Sequence, residues 1–252
     1  MCGIFGTVNT SGLTSQNKVQ FNKFFELQHH RGPDGKGRYE DDKAVFGIVR
    51  LSIIDIEHGS QPLWSSDKSI GVIANGEIYN HIELRNELKL AGHTFETLSD
   101  IEVIIHLYEE HGYEFVKHLR GMFAFALIDK KENQIILGRD RMGEKPLYIA
   151  ETESGFSFSS ELRTLIQTGT VPLNFNSQVI PNYFLYGFVP EPLTFIKGIR
   201  KVAAGTIEIF SLSTNERSVQ TYWKMGSTQE VGSQQPAQEL KKLLDEVGQL
   251  II

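Results

Sequence analysis

The alternation of apolar and polar residues along the chain predicts a series of short strands. The segments "GIFGTV" (3–8), "AVFGIVRLSIID" (44–55), "SIGVIA" (69–74), "GMFAFALID" (121–129), "QIILGRD" (134–140), "PLYIA" (146–150) and "GFSFSS" (155–160) are rich in β-branched and aromatic residues. Turn-forming stretches such as "DKKEN" and "TESG" separate several of them. The close spacing from 121 to 160 predicts consecutive antiparallel strands, because antiparallel neighbours need only tight connections.

Elsewhere the period lengthens to that of a helix. Residues 15–29 place Val19, Phe21, Phe24, Phe25 and Leu27 along a broad face. Residues 80–92 carry Ile82, Leu84, Leu88 and Leu90 and stop at Gly92, a residue suited to a helix C-terminus. Residues 99–112 open with Ser99 or Asp100 as cap, hold Glu102 in the first turn and close at Gly112. "SSELRTLIQTG" (159–169) repeats the plan, with a serine cap, Glu161, an apolar face and Gly169. Strands and helices fall in blocks rather than in strict alternation, which predicts an α+β domain of layered antiparallel sheets covered by helices.

Periodicity fades between 211 and 236, where Ser, Thr, Gln and Gly dominate, so this stretch reads as a linker. Residues 237–247 restart a helix with Leu240, Leu243, Leu244 and Val247 on one stripe. The expected organisation is therefore one domain over 2–210, a linker over 211–236 and the start of a truncated second domain over 237–252.

Composition narrows the function classes. The chain has 252 residues, 40% of them hydrophobic and 22% charged, which excludes wholesale disorder. A net charge of -6 argues against broad nucleic-acid binding, which needs a basic surface. No apolar run approaches the about 18 residues of a membrane span, and the first residues lack a secretory pattern. One cysteine cannot form an intrachain disulfide, so the expectation is a cytoplasmic protein with neither nucleic-acid nor membrane partners.

That one cysteine is Cys2. Once the initiator Met1 is removed, a thiol and a free α-amine share one residue. Such an amine has a pKa of about 7.7–8.0 and can act as base for its own side-chain nucleophile. A thiolate attacking an amide creates an oxyanion that needs preorganised donors. "ANGEIYN" (74–80) offers Asn75, with a side-chain N–H, and Gly76, whose backbone N–H can approach closely; the same "NG" also suits a tight turn. Arg50 could grip a carboxylate, and Glu77 and Asp100 could receive an ammonium, although each also suits a surface charge or a cap. "RGPDG" (31–35) reads as a rigid turn that brings Arg31 near the site, with His29 and His30 in structural roles.

The ordered set "MCGIFG", "HHRGPDG", "RLSIIDIEHGSQPL", "NGEIYNHIELR", "SDIEVIIHLYEEHG", "RGMFAFALID" and "LGRDRMGEKPLYI" resembles the glutaminase domain of class II glutamine amidotransferases, most closely that of glutamine-hydrolysing asparagine synthetases. "YFLYGFVPEPLTFIKGIRKVAAGT" (183–206) is similar to the segment closing that domain in the bacterial-type enzymes. The resemblance implies an N-terminal-nucleophile hydrolase, a four-layer αββα sandwich with two stacked antiparallel sheets. It implies Cys2 as nucleophile, Asn75 and Gly76 as oxyanion hole, and Arg50 on the glutamine carboxylate. Glu77 and Asp100 would hold the α-ammonium, with backbone groups of Leu51 and Ile53 lining the pocket. L-glutamine is the implied substrate, with no metal or cofactor in the glutaminase half-reaction. ATP and magnesium would belong to a synthetase domain, supplied in cis or in trans, whose "SGGxDS" loop has no match in this sequence; the resemblance leaves room for a homodimer. His29 stands where relatives commonly carry arginine. A glutaminase half acting for a sugar or surface polymer, or a non-catalytic binding module, are the alternative readings.

Overall fold

The computed structural model describes residues 1–226 and 235–251. In chain order the strands are β1 (Gly3–Asn9), β2 (Gly35–Glu40), β3 (Ala44–Arg50), β4 (Leu63–Trp64), β5 (Ile70–Ile78), β6 (Gly121–Asp129), β7 (Gln134–Arg139), β8 (Tyr148–Thr152), β9 (Gly155–Ser159), β10 (Ile199–Lys201), β11 (Thr206–Ser211) and β12 (Arg217–Thr221). The helices are α1 (Ser15–Gln28), α2 (His81–Leu90), α3 (Val103–His111), α4 (Leu162–Gln167), α5 (Ile180–Tyr186) and α6 (Pro236–Ile251). Two six-stranded sheets result, ordered β10-β8-β9-β1-β3-β2 and β12-β11-β7-β6-β5-β4. Every paired neighbour runs antiparallel.

Three apolar layers follow from the two-residue period of the strands. Ile4 and Val8 of β1, Phe46 and Ile48 of β3, Ile73 of β5, Ala124 and Ala126 of β6 and Leu137 of β7 meet between the sheets. The alternate positions face outward. Phe5, Val45 and Val49 pack under Phe21 and Phe24 of α1 and Leu165 of α4. Val72, Ala74, Phe123 and Phe125 pack under Leu84 of α2 and Ile104 and Leu107 of α3. Helices thus cover both outer faces of a sheet pair, the expected αββα sandwich. Burying each large apolar side chain contributes about 1.5–3 kcal/mol, so the alternation itself is the main stabilising device.

An ion cluster clamps one edge of the sandwich. Arg200 of β10 reaches Glu208 of β11 (2.7 Å) and Glu151 of β8 (2.6 Å), while Arg217 of β12 meets the same two carboxylates at 3.0 and 2.9 Å. At the other edge Tyr39 of β2 lies against Trp64 of β4, ring centroids 5.1 Å apart.

The predicted elements need several corrections. The strand expected over 44–55 ends at Arg50, because the chain turns there to fold over the Arg50 side chain. "NG" lies inside β5 rather than in a turn. The linker read over 211–236 begins too early: residues 217–221 form β12, an edge strand paired with β11, while 227–234 lie outside the described residues. Val19, Ile82 and Leu90 are exposed, whereas Gln28 and Arg85 occupy the buried faces of α1 and α2. Ser99, not Asp100, caps the short 3-10 turn leading into α3, accepting from the Ile101 N–H. Before α4 the cap position is Glu161, whose N–H donates to the Ser159 hydroxyl. Gly92 and Gly112 end their helices with positive φ, as predicted. No helix among the described residues is long and apolar enough to cross a membrane.

Candidate active site

The between-sheet alternation continues past the core and changes chemistry at the strand ends. Cys2 is in phase with Ile4, Arg50 with Phe46 and Ile48, and Asn75 and Glu77 with Ile73. β1 pairs Gly3 with Val49, which makes Cys2 and Arg50 neighbours at one end of that strand pair. Cys2, Arg50, Leu51, Ile53, Asn75, Gly76, Glu77 and Asp100 all line one cleft that opens to solvent. All eight residues singled out in the sequence are therefore brought together.

The chain start is held rather than frayed. The Cys2 Sγ donates to the Leu51 carbonyl (3.6 Å) and accepts from the Leu51 N–H (3.4 Å). The Cys2 carbonyl accepts from Arg31 Nε at 3.0 Å, and Glu161 receives Arg31 (3.3 Å) and His30 (2.7 Å) from the same turn. The "RGPDG" turn thus does place Arg31 at the thiol residue. Gly3 lets β1 lie close to Gln28, whose Oε1 would be 2.4 Å from a Cβ there.

β5 presents the donors. Its even-numbered backbone groups point away from β6: the Ala74 N–H donates to Gln61 Oε1 (2.6 Å) and the Ile78 N–H to Asp100 Oδ2 (2.8 Å). By the two-residue period of the ladder, the Gly76 N–H points the same way, between those two contacts and into the cleft. Asn75 is only 1% exposed, yet its Nδ2 has no hydrogen-bond partner among the described residues. Leaving a buried donor unsatisfied costs about 1–3 kcal/mol, so its persistence points to a ligand group that completes it. The absence of a side chain at position 76 has a packing cause: a Cβ would lie 2.1 Å from the Met122 carbonyl oxygen of β6.

The charged end of the cleft is built around Arg50 and Asp100. Arg50 Nη2 donates to the carbonyls of Ile54 (2.7 Å) and Asp55 (2.8 Å), and Nη1 to Ile56 (3.4 Å), so the 54–56 loop fixes the guanidinium. Asp100 is buried, and burial raises its carboxyl pKa above the usual value. The Ile78 N–H and His81 oppose that rise, and Glu77 adds to it. Two carboxylates side by side with one of them desolvated invite a cation.

Three contributors were missed in the sequence. Lys145 lines the cleft with its Nζ 3.7 Å from Met1 Sδ. Its loop is wrapped by buried Asp140, which accepts from the backbone of Met142, Glu144 and Lys145, and by Arg139, which donates to the Lys145 carbonyl at 2.8 Å. Gln61 closes the β5 edge, and Gly59 leaves room for Arg50, whose Nη2 would be 2.6 Å from a Cβ at 59. A lysine in a polar loop reads as solvated, so only the "LGRDRMGEKPLYI" pattern as a whole carried a signal.

Comparison with known proteins gives a consistent picture. A family model described as "Glutamine amidotransferase domain" matches residues 1–223. Glutamine-hydrolyzing asparagine synthetase 2 of Bacillus subtilis (strain 168) is 38% identical over 232 residues, covering 89% of this chain and 31% of that protein. A putative glutamine-hydrolyzing asparagine synthetase 2 of Methanocaldococcus jannaschii is 34% identical over 272 residues, covering 100% of this chain and 51% of that one. The chain thus spans about a third of the first relative and about half of the second. Among solved structures, the glutamine phosphoribosylpyrophosphate amidotransferase of B. subtilis superposes with a TM-score of 0.67 at 19% identity, over 89% of this chain and 50% of that one. At that identity the likeness concerns the fold alone.

Proposed function

The chain belongs to the glutamine amidotransferase domain family, and from that premise we propose that it hydrolyses L-glutamine to L-glutamate and ammonia through a thioester on Cys2. The observation that carries this reading is the buried, unpartnered Asn75 Nδ2 in the same cleft as the thiol and Arg50.

Removal of Met1 is the first step. Met1 lines the cleft, so its loss both frees the Cys2 amine and opens the space around the thiol. The amine takes the thiol proton, and Sγ attacks the side-chain amide carbon of glutamine. The oxyanion that forms accepts hydrogen bonds from Asn75 Nδ2 and the Gly76 N–H. The protonated amine then gives its proton to the departing nitrogen, ammonia leaves and a γ-glutamyl thioester remains. Water, deprotonated by the same amine, attacks the thioester; the thiol is released with glutamate. Arg50 holds the glutamine α-carboxylate, and Glu77 with Asp100 its α-ammonium. The backbone of Leu51 and Ile53 lines the pocket, Leu51 also orienting the thiol. The half-reaction needs only these protein groups and water, with no metal or cofactor.

The names of the relatives, asparagine synthetases, support one choice of ammonia acceptor. We assign the ammonia to ATP- and magnesium-dependent synthesis of asparagine from aspartate on a synthetase domain, in cis or in trans. Two exposed apolar features suit such a neighbour: Tyr183, Phe184, Leu185 and Tyr186 of α5, and Leu240, Leu243, Leu244 and Val247 of α6. Glutamate release from glutamine by the purified chain tests the reading. Mass spectrometry should show the active chain beginning at Cys2, and Cys2→Ala should abolish release while the circular dichroism spectrum is retained. Turnover persisting in Cys2→Ala would overturn the assignment.

A further inference from the structure

A cluster outside the cleft carries chemistry that the glutaminase reaction does not use. His93, in the turn after α2, brings Nδ1 to 3.1 Å from Nδ1 of His106 in α3. Glu109, further along α3, places Oε2 3.0 Å from His106 Nδ1 and 3.5 Å from His93 Nδ1. Three ligand-type atoms on two elements thus converge on one point, His106 buried and Glu109 at the surface.

We propose that His93 Nδ1, His106 Nδ1 and Glu109 Oε2 form a binding site for a divalent transition metal of the zinc type, with water as fourth ligand. Tetrahedral zinc with bonds of about 2.0–2.1 Å to nitrogen and oxygen separates its ligand atoms by about 3.3 Å. The three separations here, 3.0, 3.1 and 3.5 Å, scatter around that edge length. Two imidazoles with a carboxylate suit zinc-type ions over magnesium or calcium, which favour all-oxygen shells.

The outer shell agrees at His93. A metal-ligating imidazole usually gives its other nitrogen to a carboxylate, which fixes the tautomer and ring orientation. His93 Nε2 meets this pattern, 2.7 Å from Glu110 Oε1, whereas His106 Nε2 is buried without a hydrogen-bond partner among the described residues, its nearest carboxylate being Glu102 at 3.8 Å. Phe95 closes one side, its ring centroid 4.5 Å from that of His106.

The metal would tie the exit of α2 to α3. The same region reaches the cleft: Glu102 accepts from the N–H groups of Glu96 and Thr97, the Leu98 N–H donates to Asp55 Oδ2, and the Asp55 carbonyl accepts from Arg50. Its role is therefore a brace of the loop beside the substrate site.

The experiment uses the whole chain, stripped of metal by chelation and titrated with cobalt(II) chloride, then with zinc chloride in competition. The expected result is the intense visible absorption of tetrahedral cobalt at one equivalent, its displacement by zinc and a zinc-dependent rise in melting temperature. His93→Gln combined with Glu109→Gln should abolish all three, Glu110→Gln should weaken metal binding by about 10–100-fold, and Cys2→Ser should bind as the parent does. Absence of the tetrahedral spectrum in the parent chain overturns the proposal. So does binding that survives the double substitution or disappears with Cys2→Ser, since the metal would then sit elsewhere.

Discussion

Replacing Asn75 with alanine should separate catalysis from stability. Asn75 Nδ2 has no partner in a position only 1% exposed, so the folded protein carries the desolvation cost of an unsatisfied N–H, about 1–3 kcal/mol. Truncation to Cβ removes that donor and leaves the backbone pairing of β5 with β6 at Asn75 and Ala124 untouched. The melting temperature should therefore hold or rise. Catalysis should move the other way: loss of one oxyanion donor typically lowers kcat by about 100–1000-fold, or about 2.7–4 kcal/mol. Gly76 would still donate, so residual turnover is expected, and KM should change little because the interaction strengthens only when charge develops. Glutamate release in a dehydrogenase-coupled assay gives kcat and KM, and calorimetry gives the melting temperature. Asn75→Asp, nearly isosteric but without the donor, should be at least as slow. Parent-like turnover in Asn75→Ala, or a loss of activity that merely tracks a fall in melting temperature, would refute the argument.

Other outcomes can be stated more briefly. Arg50→Ala should raise the glutamine requirement, since removing one partner of a buried charge pair costs about 2–5 kcal/mol; an unchanged KM would reject its contact with the carboxylate. Gly59→Ala should raise KM as well, because the new methyl would press on Arg50 Nη2 and the Asp55 carbonyl, 2.6 and 2.8 Å from the added carbon; kcat at saturating glutamine should fall far less. For Asp100, burial raises the carboxyl pKa, so the folded state binds its proton more readily than the unfolded chain. Stability then declines as pH rises from the unfolded to the folded pKa, and Asp100→Asn should melt higher at neutral pH while binding glutamine poorly. In the parent chain KM should begin to rise on acidification at a higher pH than an ordinary aspartate would dictate; steady-state kinetics against pH checks this.

Most inner strands were legible because they are buried on both faces and nearly continuously apolar, as in "GMFAFALID"; β11, "TIEIFS", lies inside its sheet but was not predicted, its apolar run being broken by Glu208, which is buried against Arg200. The edge strands were not legible. β2, "GKGRYE", and β12, "RSVQT", have a solvent-facing side and polar residues, which share their composition with loops. Helix existence was readable, but helix orientation was only partly so. Gln28 turns inward because its Nε2 finds the Ser159 hydroxyl, and Arg85 because Thr97 and Ser99 offer carbonyls over the Phe95 ring. Such tertiary partners leave no mark in local periodicity. For the site, the chemical identities of Cys2, Arg50, Asn75 and Asp100 drew notice, yet each alone had an ordinary explanation. Their convergence depends on strand ends that lie far apart in the chain, and only the paired sheets bring them together.

Placing reactive groups on the inward rows of β1, β3 and β5 has a consequence for quality control. A slip of β5 by a single position would exchange its two faces. Ala74 and Gly76 would turn toward the opposing sheet, and the Glu77 carboxylate would be forced under α2 and α3, where Leu84, Ile104 and Leu107 leave it nothing to bond. A mispaired chain therefore loses the site and buries a carboxylate without a partner. Titrating the thiol with a glutamine-like electrophile would then count natively paired molecules, giving a direct census of folding yield in any preparation.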